Sequence, residues 1–148
     1  IKMQHIPYKG SGPALTDLIG GQVELTVIAP SSAMPHIKSG RLKAIAISGA
    51  TRLRALPQVP TFAEGGLDGF DVKGWYGLIA PAGMPRDIVE KLSAEIARIL
   101  AMPDISEKIV GMGLSPFVSS PDQFAALMSA DMTKWRKVIE SANIKLKN

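Results

Sequence analysis

His5-Ile6-Pro7-Tyr8-Lys9-Gly10-Ser11-Gly12-Pro13-Ala14-Leu15-Thr16-Asp17-Leu18-Ile19-Gly20-Gly21-Gln22-Val23 is the stretch on which the reading of this chain turns. It spells the end of a strand, a glycine-punctuated loop, a short helix opened by Pro13, and a Gly20-Gly21 stop. A loop of this kind brings backbone N–H groups to a helix start. There the first turn has unpaired donors and a partial positive charge, and such a place suits a carboxylate or a phosphate. The plainer reading is a tight turn that uses glycine only for its positive φ. Taken alone, the stretch leaves the two readings about even.

Outward from this stretch, strand and helix patterns alternate as in βαβ units, which places the chain in the α/β class. Val23 to Ile28 is β-branched and bounded by Gly21 and Pro30, a strand signature. Ala29-Pro30-Ser31-Ser32 then turns into a helical stretch that runs up to Gly40. Leu42 to Ser48 is apolar enough for a buried parallel strand. Thr61-Phe-Ala-Glu64 has the spacing of a capping box ahead of Gly65-Gly66. Phe70 to Ala80 reads as a long strand interrupted at Gly74 and Gly77, a natural crossover between lobes.

Beyond Pro85 the pattern turns helical. Ile88, Val89, Leu92, Ile96, Ile99 and Leu100 share one face, and Pro103 ends that helix. A shorter helix follows to Gly111–Gly113. Ser120-Pro-Asp-Gln123 is a second capping box, opening a last helix with Phe124, Leu127, Met128, Trp135, Val138 and Ile139 on one side. Trp135 is expected in the core.

Several short motifs in order resemble a known family. They are Tyr8-Lys9-Gly10, Pro13-Ala14-Leu15, Asp17-Leu18, Gly21-Gln22-Val23 and Ile37-Lys38-Ser39-Gly40-Arg41-Leu42-Lys43-Ala44-Ile45-Ala46. Arg52, Leu56-Pro57-Gln58-Val59-Pro60-Thr61-Phe62-Ala63-Glu64-Gly65-Gly66, Trp75-Tyr76-Gly77-Leu78 and Ala80-Pro81-Ala82-Gly83 continue the series. Trp135-Arg136-Lys137-Val138-Ile139 and Ala142-Asn143-Ile144-Lys145 close it. Together they are similar to the Bug-type periplasmic solute-binding proteins, receptors of tripartite tricarboxylate transporters. Glu24 stands where the family often has Asp, and Met84 where a small hydroxyl residue often precedes the proline.

The resemblance implies a periplasmic-binding-protein-like (type II-like) two-lobed architecture, incomplete in this chain. The chain has no initiator Met and no secretory signal, and it looks like the family's C-terminal half. Residues 1–70 are then expected in the second ligand-binding lobe, 71–80 as hinge or crossover strand, and 81–148 as a helical return to the first lobe. Strands near Pro60 and Gly69–Gly77 would form the hinge. The implied function is capture of a small organic anion, in particular a carboxylate, in an inter-lobe cleft, for a periplasmic route to membrane transporter subunits. No cofactor is implied. Helices with apolar faces and no sheet to cover them point to exposed patches and a homo-oligomer.

Family members hold the carboxylate through loop main chain, small hydroxyls and water, which implicates Tyr8, Lys9, Gly10, Ser11, Gly12 and Pro13. Ala29, Pro30, Ser31 and Ser32 form the second strand-to-helix loop. In open α/β sheets both loops face one crevice. Ser31 and Ser32 can donate to an anion or cap the following helix, and capping is the default. Trp75 and Tyr76 lie where an aromatic lines the cleft or simply packs at the lobe junction.

Other chemistries find little support. His5 and His36, the only histidines, have no third ligand at metal spacing, so no metal is expected. The absence of Cys removes a thiolate nucleophile. Gly-x-Ser-x-Gly, Ser-x-x-Lys, Walker A and Gly-x-Gly-x-x-Gly do not occur, and Asp17 and Glu24 do not make an acid/base pair. An enzyme is therefore not expected. The net charge of +4 is scattered, with only Lys145-Leu146-Lys147 as a basic end, so nucleic acid is not expected either. An effector-binding domain of a regulator is the alternative, and a small α/β enzyme the weaker one.

Overall fold

The structure, a computed structural model, describes residues 2–144; the basic end Lys145–Lys147 lies outside them. Five helices follow in order: α1 (Ser11–Ile19), α2 (Pro30–Lys38), α3 (Arg86–Leu100), α4 (Pro103–Gly111) and α5 (Pro121–Ser141). The chain divides into two compact units. Unit 1 is Ile1–Leu78 with Asp104–Pro116, and unit 2 is Ile79–Pro103 with Phe117–Asn148. Asp104–Pro116 thus groups with unit 1, although its sequence lies among the C-terminal helices.

In unit 1, α1 starts at Ser11, two residues ahead of Pro13, because Gly10 supplies a φ of 102° that a residue with a Cβ would resist. Gly20 N–H to Thr16 O at 2.9 Å and Gln22 N–H to Asp17 O at 2.8 Å close its far end. Pro30 opens α2 at a position where its missing N–H costs nothing. Gly40, at φ 75°, follows the end of α2. Met34 of α2, Leu56 and Val59 form the core, with Ile37, Ala44, Ile47, Leu53 and Ala55 packed around them.

The expected strands differ from what is found. Val23–Ile28, Leu42–Ser48 and Phe70–Ala80 form no helix, and no ladder joins them among the described residues. Among the described residues the one isolated bridge is parallel, between Ile47 and Thr61, made by Ile47 N–H to Pro60 O at 2.9 Å and Phe62 N–H to Ile47 O at 3.0 Å. Val72 N–H to Ser48 O at 2.8 Å adds one further tie. β-branched residues favour extended backbone, yet a strand is completed only by a partner in register. Leu42–Ser48 is also not fully buried: Leu42, Ala44 and Ala46 turn inward while Lys43 and Ile45 are exposed. This alternation is that of a half-covered strand.

Thr61 and Glu64 form the expected capping box. Thr61 N–H donates to Glu64 Oε2 at 2.7 Å and Glu64 N–H to Thr61 Oγ1 at 3.1 Å. Arg52 Nε reaches both oxygens of Glu64, at 3.0 and 2.9 Å, and Arg52 Nη1 donates to Pro57 O at 2.9 Å. This network fastens the proline-rich segment beneath Ile47.

In unit 2, α3 packs against α5. Ser120 N–H donates to Gln123 Oε1 at 2.9 Å and Gln123 N–H to Ser120 Oγ at 3.1 Å, the capping box expected at the start of α5. The apolar stripes are less covered than their pattern suggests. Neither α3 nor α5 has a fully buried residue. Trp135, expected in the core, is 36% exposed with Lys134 Nζ 5.5 Å from its ring centroid. Two amphipathic helices cover only the side each turns to the other, so the rest of each stripe stays open.

Candidate functional site

The first loop ends on Gly10, whose φ of 102° and ψ of 179° aim the chain into α1. A Cβ placed on Gly10 or Gly12 would meet nothing within 4 Å, so both glycines front open space. Ser11, Gly12 and Pro13 are the first three residues of α1. Pro13 has no N–H, which leaves Ser11 and Gly12 as the free donors of the first turn. Lys9 is exposed and pairs with no carboxylate among the described residues.

Tyr8 is tied to the helix that follows the loop. Its hydroxyl donates to Asp17 Oδ2 at 2.7 Å, which braces the loop against the body of α1. The hydrogen bond to Asp17 is the main reason that its phenol is raised above the usual value, with desolvation and the Asp17 charge adding to it. Asp17 is thus a residue of this loop's geometry that spacing alone could not reveal.

In the second loop Ala29 is extended, at φ −61° and ψ 133°, and Pro30 begins α2. Ser31 and Ser32 are half-buried in its first turn, and Ser32 N–H donates to Ala29 O at 3.1 Å. The capping role expected by default is not realised, since no side chain caps α2. Ser31 and Ser32 follow Pro30 inside the helix, too late to be its N-cap.

The starts of α1 and α2 share one property. Neither has a capping side chain or an acidic residue in its first turn. In contrast α3, α4 and α5 carry Asp87, Asp104 and Asp122 there. An acidic residue near a helix start satisfies its partial positive charge internally. α1 and α2 touch each other within unit 1, so both loops belong to one compact body. The same unit holds Trp75, 38% exposed, and Tyr76, 75% exposed, outside any helix.

Such an arrangement offers N–H and O–H donors to an anion. It brings no group of acidic, His or Cys side chains able to hold a metal ion among the described residues. A depression of about 520 Å³ lies elsewhere in unit 1, lined by Ile37, Leu42 and Lys43 and by Gln58, Val59 and Pro60. Neither loop lines it, and its walls are the backs of the core segments. The helix starts carry the stronger chemical case.

The sequence matches, over residues 1–144, the family described as the tripartite tricarboxylate transporter family receptor. The chain belongs to this family. A UPF0065 protein from the tcbD-tcbE intergenic region of Pseudomonas sp. (strain P51) is 37% identical over 140 residues, which are 94% of this chain and 42% of that protein. The chain spans less than half the length of this curated relative.

Two solved structures are similar over nearly the whole chain. R. palustris Rpa4515 with adipate superimposes with a TM-score of 0.86 at 33% identity, covering 94% of this chain and 46% of that one. The periplasmic binding protein BugD superimposes with a TM-score of 0.85 at 32% identity, covering 99% and 50%. Over the part it spans, the chain therefore has the α/β fold of the periplasmic solute-binding proteins.

Proposed function

We propose that this chain is part of a periplasmic receptor that captures a small organic carboxylate between two lobes and delivers it to a membrane transporter. The observation that carries the reading is the pair of uncapped, acid-free helix starts within one unit, fronted by Gly10–Gly12 and by Ser31–Ser32. A carboxylate there accepts hydrogen bonds from main-chain N–H groups and hydroxyls, and completes helix ends that the chain leaves unsatisfied. The adipate of the R. palustris receptor supports a dicarboxylate as the class of ligand. BugD's description as a periplasmic protein supports the location.

In this reading Tyr8 sets the loop through Asp17 and is not itself a donor to ligand. Lys9 adds positive charge at the rim, and Trp75 and Tyr76 supply apolar wall for the ligand's carbon chain. Residues 71–80 act as the hinge, and closure about the ligand excludes water. No bond is broken, so the chain acts as a carrier and not as an enzyme.

A thermal-shift panel on the intact protein tests this, with succinate, malate, adipate and citrate set against the neutral diamide of adipic acid. A ligand at a hundred times its dissociation constant adds about 2.7 kcal/mol of stability. A selective upward shift with one acid and none with the diamide is the expected result. A flat response across the acids overturns carboxylate capture.

A further inference from the structure

We propose that Gly113 is a positioning residue for the candidate anion site: it seats the turn after α4 against the first turn of α2 and so sets where Ser31 and Ser32 stand. The proposal rests on the carboxylate reading given above, and it extends that reading to a part of the chain far from either loop in sequence.

Gly113 is buried, at φ 77°, in a conformation that glycine alone adopts without strain. A Cβ there would lie 2.6 Å from Met34 Cε and 2.8 Å from Pro30 Cβ, both far inside contact distance. Pro30 is the neighbour that does not yield, whereas Met34 Cε is the far end of a flexible side chain with little room to swing. Met34 is the most enclosed side chain of the core, 2% exposed, and Pro30 is a rigid ring at the first position of α2.

A second tie grips the opposite end of the same helix. Lys38, the last residue of α2, donates from Nζ to Gly111 O at 2.8 Å. It places a cation on a carbonyl at the end of α4, where the helix dipole favours one. The turn Gly111–Gly113 therefore holds α2 at its first residue and at its last. This matters because α2 has no side-chain cap to fix its own start. Hydrogen bonds weaken steeply as donors leave line, so a displaced first turn offers a carboxylate poorer geometry even with every donor present.

The test compares Gly113→Ala with Gly40→Ala in the intact protein. Gly40 has nearly the same φ, 75°, but a Cβ there meets nothing within 4 Å. Backbone strain is thus common to both variants, and crowding of α2 belongs to one. Titration calorimetry with adipate as probe, and amide hydrogen exchange over 32–34, give the two readouts. Gly113→Ala is expected to lose about tenfold in affinity, the size of one impaired hydrogen bond to a charged group, with faster exchange over 32–34. Gly40→Ala is expected to change neither.

Equal behaviour of the two variants in both readouts overturns the proposal. Should Gly113→Ala not fold, Lys38→Met removes the other tie without a clash. Faster exchange and weaker adipate binding in that variant then support the proposal, and unchanged values overturn it. If the wild-type protein binds no adipate while it remains folded, adipate capture fails on its own. The exchange comparison still decides whether Gly113 positions α2.

Discussion

Glu64 is an acid held from two sides. Arg52 donates to both of its oxygens and Thr61 N–H to one, and these bonds, Arg52 first, hold its carboxyl down at about 2 against an ordinary 4.5. The ionised form is the one favoured by folding. Its stabilisation is therefore complete above about pH 4.5 and is lost as pH falls from there towards about 2. Both side chains are 44% exposed, so solvent screening keeps the effect modest. Thermal melts across that acid window are expected to fall less steeply in Glu64→Gln than in the wild type. Parallel curves for the two proteins would show that the pair contributes nothing. At this scale the sequence was partly legible. Thr61-x-x-Glu64 could be read because a capping box is local, whereas the partnership of Tyr8 with Asp17 exists only once α1 has formed and turned that carboxylate towards the loop.

Elements whose geometry is local matched their sequence patterns. α5 begins where Ser120-Pro121-Asp122-Gln123 says it should, with both reciprocal hydrogen bonds made. Ser120→Ala is expected to cost about 1 kcal/mol, read as a lower denaturation midpoint at unchanged slope; no shift in midpoint would mean that the end of α5 is already frayed. The extended segments fared otherwise. Val23–Ile28 and Leu42–Ser48 carry the residues of strands, but pairing is a property of two segments and cannot be read from one. The candidate site shows the same contrast. Pro13 and the Ala29–Ser32 loop placed the two helix starts to within two residues, while the support of α2 by Gly113 depends on a contact between distant parts of the chain.

Across the molecule, the family was legible because its short motifs are spread over nearly the whole length, so their order carried what no single motif could. The apolar surface is a whole-chain property too. Leu25, Val27, Ile45, Leu78 and Ile79 are more than half exposed, and α3 and α5 keep open stripes. So many exposed apolar side chains favour association. We expect the 148-residue chain, prepared by itself, to scatter light as a dimer or larger and to dissociate on dilution. A monodisperse monomer at every concentration would count against self-association.

The interleaving of the two units bears on how the protein is made. The chain leaves unit 1 after Leu78 and returns to it at Asp104, and only with Pro116 is that unit complete. Lys38 waits for Gly111, 73 residues further on. During synthesis from the N-terminus, α1 and α2 emerge long before the turn that steadies them, and all of α3 must be threaded out in between. Closing so long a loop is entropically costly and slow. The nascent chain thus passes through an interval in which the starts of α1 and α2 exist without the turn that packs on α2, and a ribosome stalled in that interval would hold both helices before their final geometry is set.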